Sequence, residues 1–147
     1  MGIDYGEKRI GVALSDPTGS LASPLTTLVR RRGKRPPYAE IARLADEREV
    51  AEIVVGLPLD LAGDEGEWCA EVRRFGEKLA ARTGLPLHWI DERLSSVRAE
   101  RAIRGAGLPK QRREEKERVD AAAAAVILQL FLATRAAARR ATDDAVE

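Results

Sequence analysis

The chain has very little of the residue types that build soft-metal sites and thiol chemistry. Its 147 residues include one cysteine, Cys69, and one histidine, His88. A single cysteine excludes an intramolecular disulfide and a cysteine-based metal cluster, and it is typical of a reducing compartment. The histidine falls in a predicted core strand, where we expect a structural role. Neither a Ser-His-Asp set nor a Cys-His set can be assembled around it.

A strong net charge and a long apolar run are also missing. The formal net charge is +1 at pH 7, so global charge does not indicate nucleic acid. No uninterrupted apolar run approaches the roughly 20 residues that span a bilayer. Hydrophobic residues make up 44% of the chain and charged residues 33%, which is the composition of one soluble globular domain. We therefore expect a cytoplasmic protein with no membrane partner.

The first sixteen residues are the most informative stretch. Two apolar runs, residues 1–3 and 10–14, are joined by a short polar turn that contains a glycine, which predicts a β-hairpin. The first run leads into Asp4, and a carboxylate inside a sheet costs on the order of several kcal/mol unless it is paired or bound to a metal. Gly2 and Gly6 on either side of it leave room for a close approach to the backbone. A simple turn-forming role for Asp4 is the alternative.

The remaining sequence alternates helices and strands. A third strand is expected at a sheet edge, because Pro24 cannot donate to a central ladder. Periodicity predicts the third strand over residues 21–29, helices over 38–50, 68–83, 97–106 and 117–140, and further strands over 52–56 and 87–90. This order predicts an α/β fold with a five-stranded mixed sheet, its first three strands an antiparallel meander, flanked by helices. We expect one domain over residues 1–141, a mobile segment over 105–117 and a disordered tail over 142–147.

Acidic residues stand at three places where predicted elements begin or end: Asp4, the pair Asp91-Glu92, and Asp120. The first two places follow strands that should be near neighbours, and open α/β sheets place their sites at such strand ends. Asp120 heads a row of apolar residues at i+4, i+7 and i+11, so it is predicted to face the sheet; a simple helix N-terminal charge is the alternative. Oxygen ligands without His or Cys suit Mg²⁺ or Mn²⁺, and two such ions can promote in-line phosphodiester cleavage.

Four motifs occur in order along nearly the whole chain: Gly-Ile-Asp-x-Gly-x-Lys-Arg-Ile-Gly-Val-Ala-x-Ser-Asp over residues 2–16, Gly56-Leu57-Pro58, Asp91-Glu92-Arg93-Leu94-Ser95, and Val119-Asp120-x-x-Ala123-Ala124. Together they resemble the YqgF (RuvX) family of RNase H-like proteins, described as Holliday-junction resolvases or as nucleases that mature pre-16S rRNA. The resemblance implies a divalent-metal-dependent endonuclease with Asp4, Glu92 and Asp120 as catalytic metal ligands. The first motif alone also resembles the phosphate-binding hairpin of sugar kinases and actin-like ATPases.

Several points near these motifs stay open. Strand alternation sends Asp91 and Glu92 to opposite faces, so the sequence does not decide which of them faces the metal. Lys8 and Arg9 lie in the hairpin turn and could meet a phosphate. Only three residues precede Asp4, fewer than in the family, so we expect the natural polypeptide to extend upstream of Met1.

Basic residues are concentrated in two clusters and one further position, although solvated loops are the alternative interpretation of such runs. The predicted nucleic-acid contacts are Arg30, Arg31, Arg32, Lys34 and Arg35, then Lys110, Arg112 and Arg113, and also Arg93. The expected partner is structured RNA or branched DNA, bound by a monomer or a homodimer.

Two other functions compete with the nuclease. One is a non-catalytic nucleic-acid-binding module of the same fold, against which the retained acids argue. The other is an ATPase of the actin or sugar-kinase type. Such ATPases build the nucleotide site between two domains, and this chain has length for one.

Overall fold

The described part of the chain forms five strands and three helices. The computed structural model describes residues 1–30, 33–94 and 113–146, with no account of the side chains of 113–119 and 146. The strands are β1 (Gly2–Tyr5), β2 (Arg9–Ser15), β3 (Ala22–Val29), β4 (Ile53–Leu57) and β5 (Leu87–Asp91). The helices are α1 (Tyr38–Glu47), α2 (Glu67–Thr83) and α3 (Arg113–Val146), and a 3-10 turn (Glu92–Leu94) follows β5 directly.

The sheet has the strand order β3-β2-β1-β4-β5, with the first strand at its centre. Strands β1, β2 and β3 form the predicted antiparallel meander, while β4 and β5 extend the sheet in parallel from β1. Pro24 lies in the edge strand β3, as its missing N–H requires, and the β2–β3 register shifts between Val12 and Ala13. The mixed sheet flanked by helices confirms the predicted fold class.

Helices cover the two faces of the sheet unequally. On one face α1 and α2 cover the sheet, and the buried residues there include Ile3, Ile10, Ile41 and Phe75. On the other face the described residues contribute helix α3, and the buried cluster there is smaller. Residues spaced along one side of α2 belong to the first core, where Val72, Phe75 and Leu79 are buried and Trp68 is partly buried. The α2 aromatic residues are therefore core residues, and Cys69 beside them is buried as well.

Several predicted helix bounds were wrong. Helix α1 ends at Glu47 rather than near Val50. The final helix begins at Arg113, inside the segment expected to be mobile, and continues to Val146 instead of ending near Arg140. Residues 142–146 are thus helical rather than a frayed tail, and the division of the chain at residue 141 stays a prediction. The helix predicted over 97–106 lies outside the described residues.

Helix α3 is the one described helix with the length and composition of a membrane span, over Asp120–Ala145. The segment holds no long uninterrupted apolar run, because polar residues such as Gln129 and Thr134 divide it. Its inner face is buried against the sheet through Ala124, Ile127 and Leu128. Length and composition alone are weak evidence for a membrane span, since a core helix of a soluble protein meets the same criterion.

Candidate active site

Asp4 is buried at the centre of the sheet, with its side chain 1% exposed. Side chains alternate along a strand, so Asp4 lies on the same face as Gly2. A Cβ built on Gly2 would lie 2.7 Å from Leu128 Cβ and 2.8 Å from the carbonyl oxygen of Ala124, both in α3. The carboxylate of Asp4 therefore points to the α3 face, away from the large apolar core.

Two glycines flank Asp4 on its neighbouring strands. Gly11 of β2 is its partner in the antiparallel register. On the other side Gly2 pairs with Val54 and Ile3 with Val55, and continuing this parallel register places Gly56 of β4 beside Asp4. Neither neighbour carries a side chain, so the sheet is open on both sides of the carboxylate.

Glu92 occupies the space above Gly56. Its Oε1 would lie 2.7 Å from a Cβ built on Gly56, and the Glu92 side chain is 5% exposed. Ile90 of β5 packs on the α3 side, so the strand alternation places Glu92, two residues on, on the same face, where the 3-10 turn begins. Among the described residues, Asp4 and Glu92 are the only polar or charged residues that are buried.

Asp120 lies over the other glycine. A Cβ on Gly11 would lie 2.0 Å from the backbone carbonyl oxygen of Asp120, so only glycine permits α3 to approach β2 this closely. Helix α3 begins at Arg113, about two turns before Asp120. A favourable helix-dipole effect is confined to the first turn, which disfavours the alternative role as an N-terminal charge.

Arg9 shares the α3 face with Gly11 and contacts the third acid directly. Arg9 Nε lies 3.0 Å from Asp120 Oδ2, with the two side chains 19% and 17% exposed. The hairpin turn that presents Arg9 is closed by a 2.9 Å hydrogen bond from the backbone N–H of Gly6 to the Arg9 carbonyl. The role of Gly6 is thus to permit this turn, since a Cβ there would lie 2.6 Å from the same carbonyl oxygen.

Asp4, Glu92 and Asp120 thus come to one face of the sheet, at the carboxyl ends of β1 and β5 and on the helix above them. Their donor atoms are all carboxylate oxygens, which fit a hard divalent cation, and the two glycines keep the floor of the site free of side chains. In the present arrangement no three Asp, Glu, His or Cys side chains of the described residues lie close enough to hold one ion together.

Comparison with known proteins gives a consistent result. The RuvX family, described as Holliday junction resolvase, matches residues 1–134. The chain belongs to the RuvX family. A relative from Chloroflexus aggregans is 44% identical over 92% of this chain and 93% of its own, and one from an Anaeromyxobacter species is 46% identical over 90% and 94%. Both carry the provisional name pre-16S rRNA nuclease.

Solved structures agree with the family at the level of the fold. Thermus thermophilus RuvC matches with a TM-score of 0.52 and 17% identity, covering 92% of this chain and 95% of RuvC. RuvC from the same organism in complex with a Holliday junction substrate matches with a TM-score of 0.50 and 15% identity, over 91% and 92% of the two chains. This RuvX protein therefore has the RNase H-like fold of a family of nucleases.

The structure distinguishes the two acids of the Asp91-Glu92 pair. Asp91 accepts hydrogen bonds from the Arg93 guanidinium, at 2.7 Å from Nη2 and 3.0 Å from Nε to Oδ2, and from the Arg93 backbone N–H at 2.9 Å. This bonding raises the pKa of Arg93. A Cβ built on Gly63, in the loop after β4, would lie 3.1 Å from Nη1 of Arg93, so this guanidinium lies beside that loop. Glu92, and not Asp91, is the acid that joins the Asp4 face.

The predicted phosphate contacts have different environments. Lys8, Lys34 and Arg35 are exposed. Arg30 is 18% exposed, and its guanidinium lies 4.8 Å from the ring centre of Tyr5 and 6.0 Å from that of Trp68. Burial raises the pKa of Tyr5 to about 12, an effect that the charge of Arg30 partly opposes. The side chains of Arg31, Arg32, Lys110, Arg112 and Arg113 lie outside the described residues.

Sequence reasoning missed two glycines of this site and identified Gly2 only in part. Gly11 and Gly56 interrupt strands that are otherwise apolar, which is a recognised sign of close backbone approach. His88 packs against Phe131 at 4.8 Å between ring centres, and its Nε2 lies 3.8 Å from Glu52 Oε1. It lies on β5 in a contact with α3, consistent with the structural role expected for it.

Proposed function

We propose that this RuvX protein is a divalent-metal-dependent endonuclease that cleaves phosphodiester bonds of structured nucleic acid, with precursor 16S rRNA as its first candidate substrate. The observation that carries the proposal is the position of Asp4 between Gly11 and Gly56, two residues without side chains. The Glu92 carboxylate fills the space above Gly56, and the Asp120 backbone fills the space above Gly11. The names of relatives that are 42–46% identical support the RNA substrate. The family description supports branched DNA as the alternative.

In this proposal Asp4, Glu92 and Asp120 hold Mg²⁺ or Mn²⁺. When bound, such a cation supplies an activated water and stabilises the leaving oxygen of an in-line displacement. The protein supplies the orientation of the three carboxylates. Asp4 is fixed by the central strand, Glu92 by the turn after β5, and Asp120 by the close packing of α3 on Gly11.

The basic loop after β3 begins beside the same end of the sheet. The backbone N–H of Arg30 donates a 2.8 Å hydrogen bond to the carbonyl of Lys8, in the hairpin turn next to Arg9. Lys34 and Arg35 extend from there into solvent. A phosphate backbone that crosses this loop would pass close to the acidic site, so we assign the exposed cations of the loop to substrate binding.

Replacing Asp4 with Asn tests the catalytic assignment. We expect metal-dependent cleavage to fall by at least about a thousandfold, because the central ligand loses its charge. The free energy of unfolding without metal should hold or rise, because a buried carboxylate becomes neutral. Cleavage assays in Mg²⁺ and in Mn²⁺, paired with urea unfolding, measure both quantities.

The matched control for Asp4→Asn is Asp46→Asn on α1, which carries an acid away from the site. Retained cleavage in Asp4→Asn would contradict the assignment. Cleavage absent from the parent protein on every substrate would instead favour a non-catalytic binding module.

The substrate class is tested by giving one preparation two substrates. Precursor 16S rRNA fragments and four-way junction DNA should be cleaved at different rates in the same buffer, and the RNA should be cleaved faster. Faster cleavage of the junction DNA would indicate that the protein is a Holliday-junction resolvase. A soluble cytoplasmic location fits either activity, and sedimentation with and without substrate would measure whether a monomer or a homodimer acts.

A further inference from the structure

Arg9 already supplies a positive charge to one of the three acids. Its guanidinium contacts Asp120 Oδ2 at 3.0 Å, on the face that also holds Asp4 and Glu92. A divalent ion drawn to these carboxylates would lie within a few Å of that guanidinium. Two cations so close repel each other strongly where solvent is partly excluded.

We propose that Arg9 is a positioning residue that competes with the divalent cation for Asp120, so that metal binding displaces its guanidinium. The proposal rests on the metal site assigned above. The geometric observation behind it is the contact of Arg9 with Asp120, the one of the three acids that lies on α3.

The backbone around Arg9 is fixed, which leaves the side chain as the part that can move. The Arg9 carbonyl accepts the hydrogen bond of the hairpin turn, and Arg9 pairs with Val29 in the β2–β3 ladder. Its side chain remains 19% exposed, so the guanidinium has a path toward solvent. Asp120 is held in register by the contact of its own backbone with Gly11.

The other described cations near the site have different partners. Arg93 is engaged by Asp91, and Arg30 lies over Tyr5. Lys8 is exposed next to Arg9 in the hairpin turn. Among these described cations, Arg9 is therefore the one that contacts one of the three acids.

Competition and simple structural support predict opposite changes in metal affinity. If Arg9 competes with the metal, Arg9→Gln leaves the site more negative and the metal binds more tightly. If Arg9 merely supports α3, the same change loosens Asp120 and the metal binds more weakly or equally. The dissociation constant of the metal alone therefore separates the two roles without an activity assay.

The experiment is calorimetric titration of Mn²⁺, and then Mg²⁺, into the full chain. We expect Arg9→Gln to bind roughly fivefold more tightly than the parent, the upper end of the effect of losing a solvent-accessible ion pair. Arg9→Lys keeps the charge and should bind like the parent. Arg43→Gln is the matched control, because it breaks an exposed Arg–Glu pair in α1 on the opposite face.

A double variant tests whether the effect passes through Asp120. In an Asp120→Asn background, Arg9→Gln should change the affinity much less, because the group for which the two cations compete has lost its charge. Denaturant unfolding of each variant establishes that it is folded. An effect of Arg9→Gln that persists in full in Asp120→Asn would overturn the assignment to this residue.

The remaining outcomes separate this inference from the proposed function. Metal binding to Arg9→Gln at or below parental strength, in a folded protein, overturns the competition and leaves the nuclease standing if the parent still cleaves. Metal binding to neither protein overturns the assigned metal site and the competition with it. Tighter binding to Arg9→Gln together with parental affinity in Arg9→Lys supports the competition.

Discussion

The two faces of the sheet are covered by side chains of very different size. On the α1–α2 face large apolar residues fill the space, and Tyr5 and Phe75 stack at 4.1 Å between ring centres. On the α3 face the strands contribute Ala13, Val54 and glycines, and the acids lie among them. The first arrangement buries apolar area, while the second lets a helix backbone approach the strands closely.

This difference separates stability from chemistry. The face with the larger core has the fully buried aromatic residue and most of the fully buried aliphatic residues. The other face has the two buried acids at the site end and a smaller apolar cluster. Substitutions on the α1–α2 face should therefore change stability first, and substitutions on the α3 face should change activity first.

The largest loss of stability is expected for Phe75→Ala. Phe75 is 1% exposed at the centre of the aromatic stack, and removing such a ring from a core costs about 3–5 kcal/mol. Cleavage per folded molecule should stay near the parental value, because Phe75 lies on the face away from the acids. Urea unfolding and cleavage at low temperature measure the two effects. Equal losses of stability and of cleavage per folded molecule would contradict the separation of stability and activity between the two faces.

A somewhat smaller loss of stability, but a near-complete loss of activity, is expected for Gly11→Ala. The new Cβ would lie 2.0 Å from a backbone oxygen of α3, so the helix must shift and carry Asp120 with it. Overpacking of this kind costs about 1–3 kcal/mol. Gly66→Ala is the control, since a Cβ there meets no atom within 4 Å. Parental cleavage in Gly11→Ala would contradict the placement of Asp120 in the site.

A graded version of the same test is Gly56→Ala. Its Cβ would meet Ile127 Cδ1 at 2.6 Å and Glu92 Oε1 at 2.7 Å, both near the ends of flexible side chains. We expect a cost of about 1 kcal/mol, at the low end of overpacking. Cleavage should fall because the Glu92 carboxylate is pushed aside, and metal titration should show weaker binding. A loss of stability without any change in metal affinity would remove Glu92 from the site.

The smallest effects on stability and binding are expected in the basic loop after β3. There they distinguish the packed Arg30 from the exposed Lys34 and Arg35. Arg30→Gln should cost about 0.5–1 kcal/mol through lost contact with Tyr5, with little change in the salt dependence of binding. The double change Lys34→Gln, Arg35→Gln should leave stability unchanged and reduce the slope of log affinity against log salt by about one to two. Binding to a labelled RNA measures this slope. If Arg30→Gln reduces the slope and the double change does not, Arg30 is a substrate contact.

Local sequence patterns were sufficient for most elements of the fold. The hairpin over residues 2–15, the edge position of Pro24 and the position of α2 follow from alternation, proline chemistry and helical spacing. The predicted end of α2 at residue 83 agrees with the structure, where Gly84 follows in the left-handed conformation with φ 72°. The bounds of α3 were not predicted, because a polar segment without periodicity carries no local signal for a helix.

The sequence by itself determined which acids to consider and the family to which the chain belongs, because both are written in short motifs. Only the tertiary structure decided that Glu92 rather than Asp91 lies beside Asp4, since the two acids fall on opposite faces of β5 and the strand register decides which face Asp4 shares. The same is true of the contact between Arg9 and Asp120, which lie 111 positions apart. Such contacts depend on the register of the strands and on how closely a helix approaches them. Glycines permit the close approach, but no local sequence pattern encodes either the register or the approach.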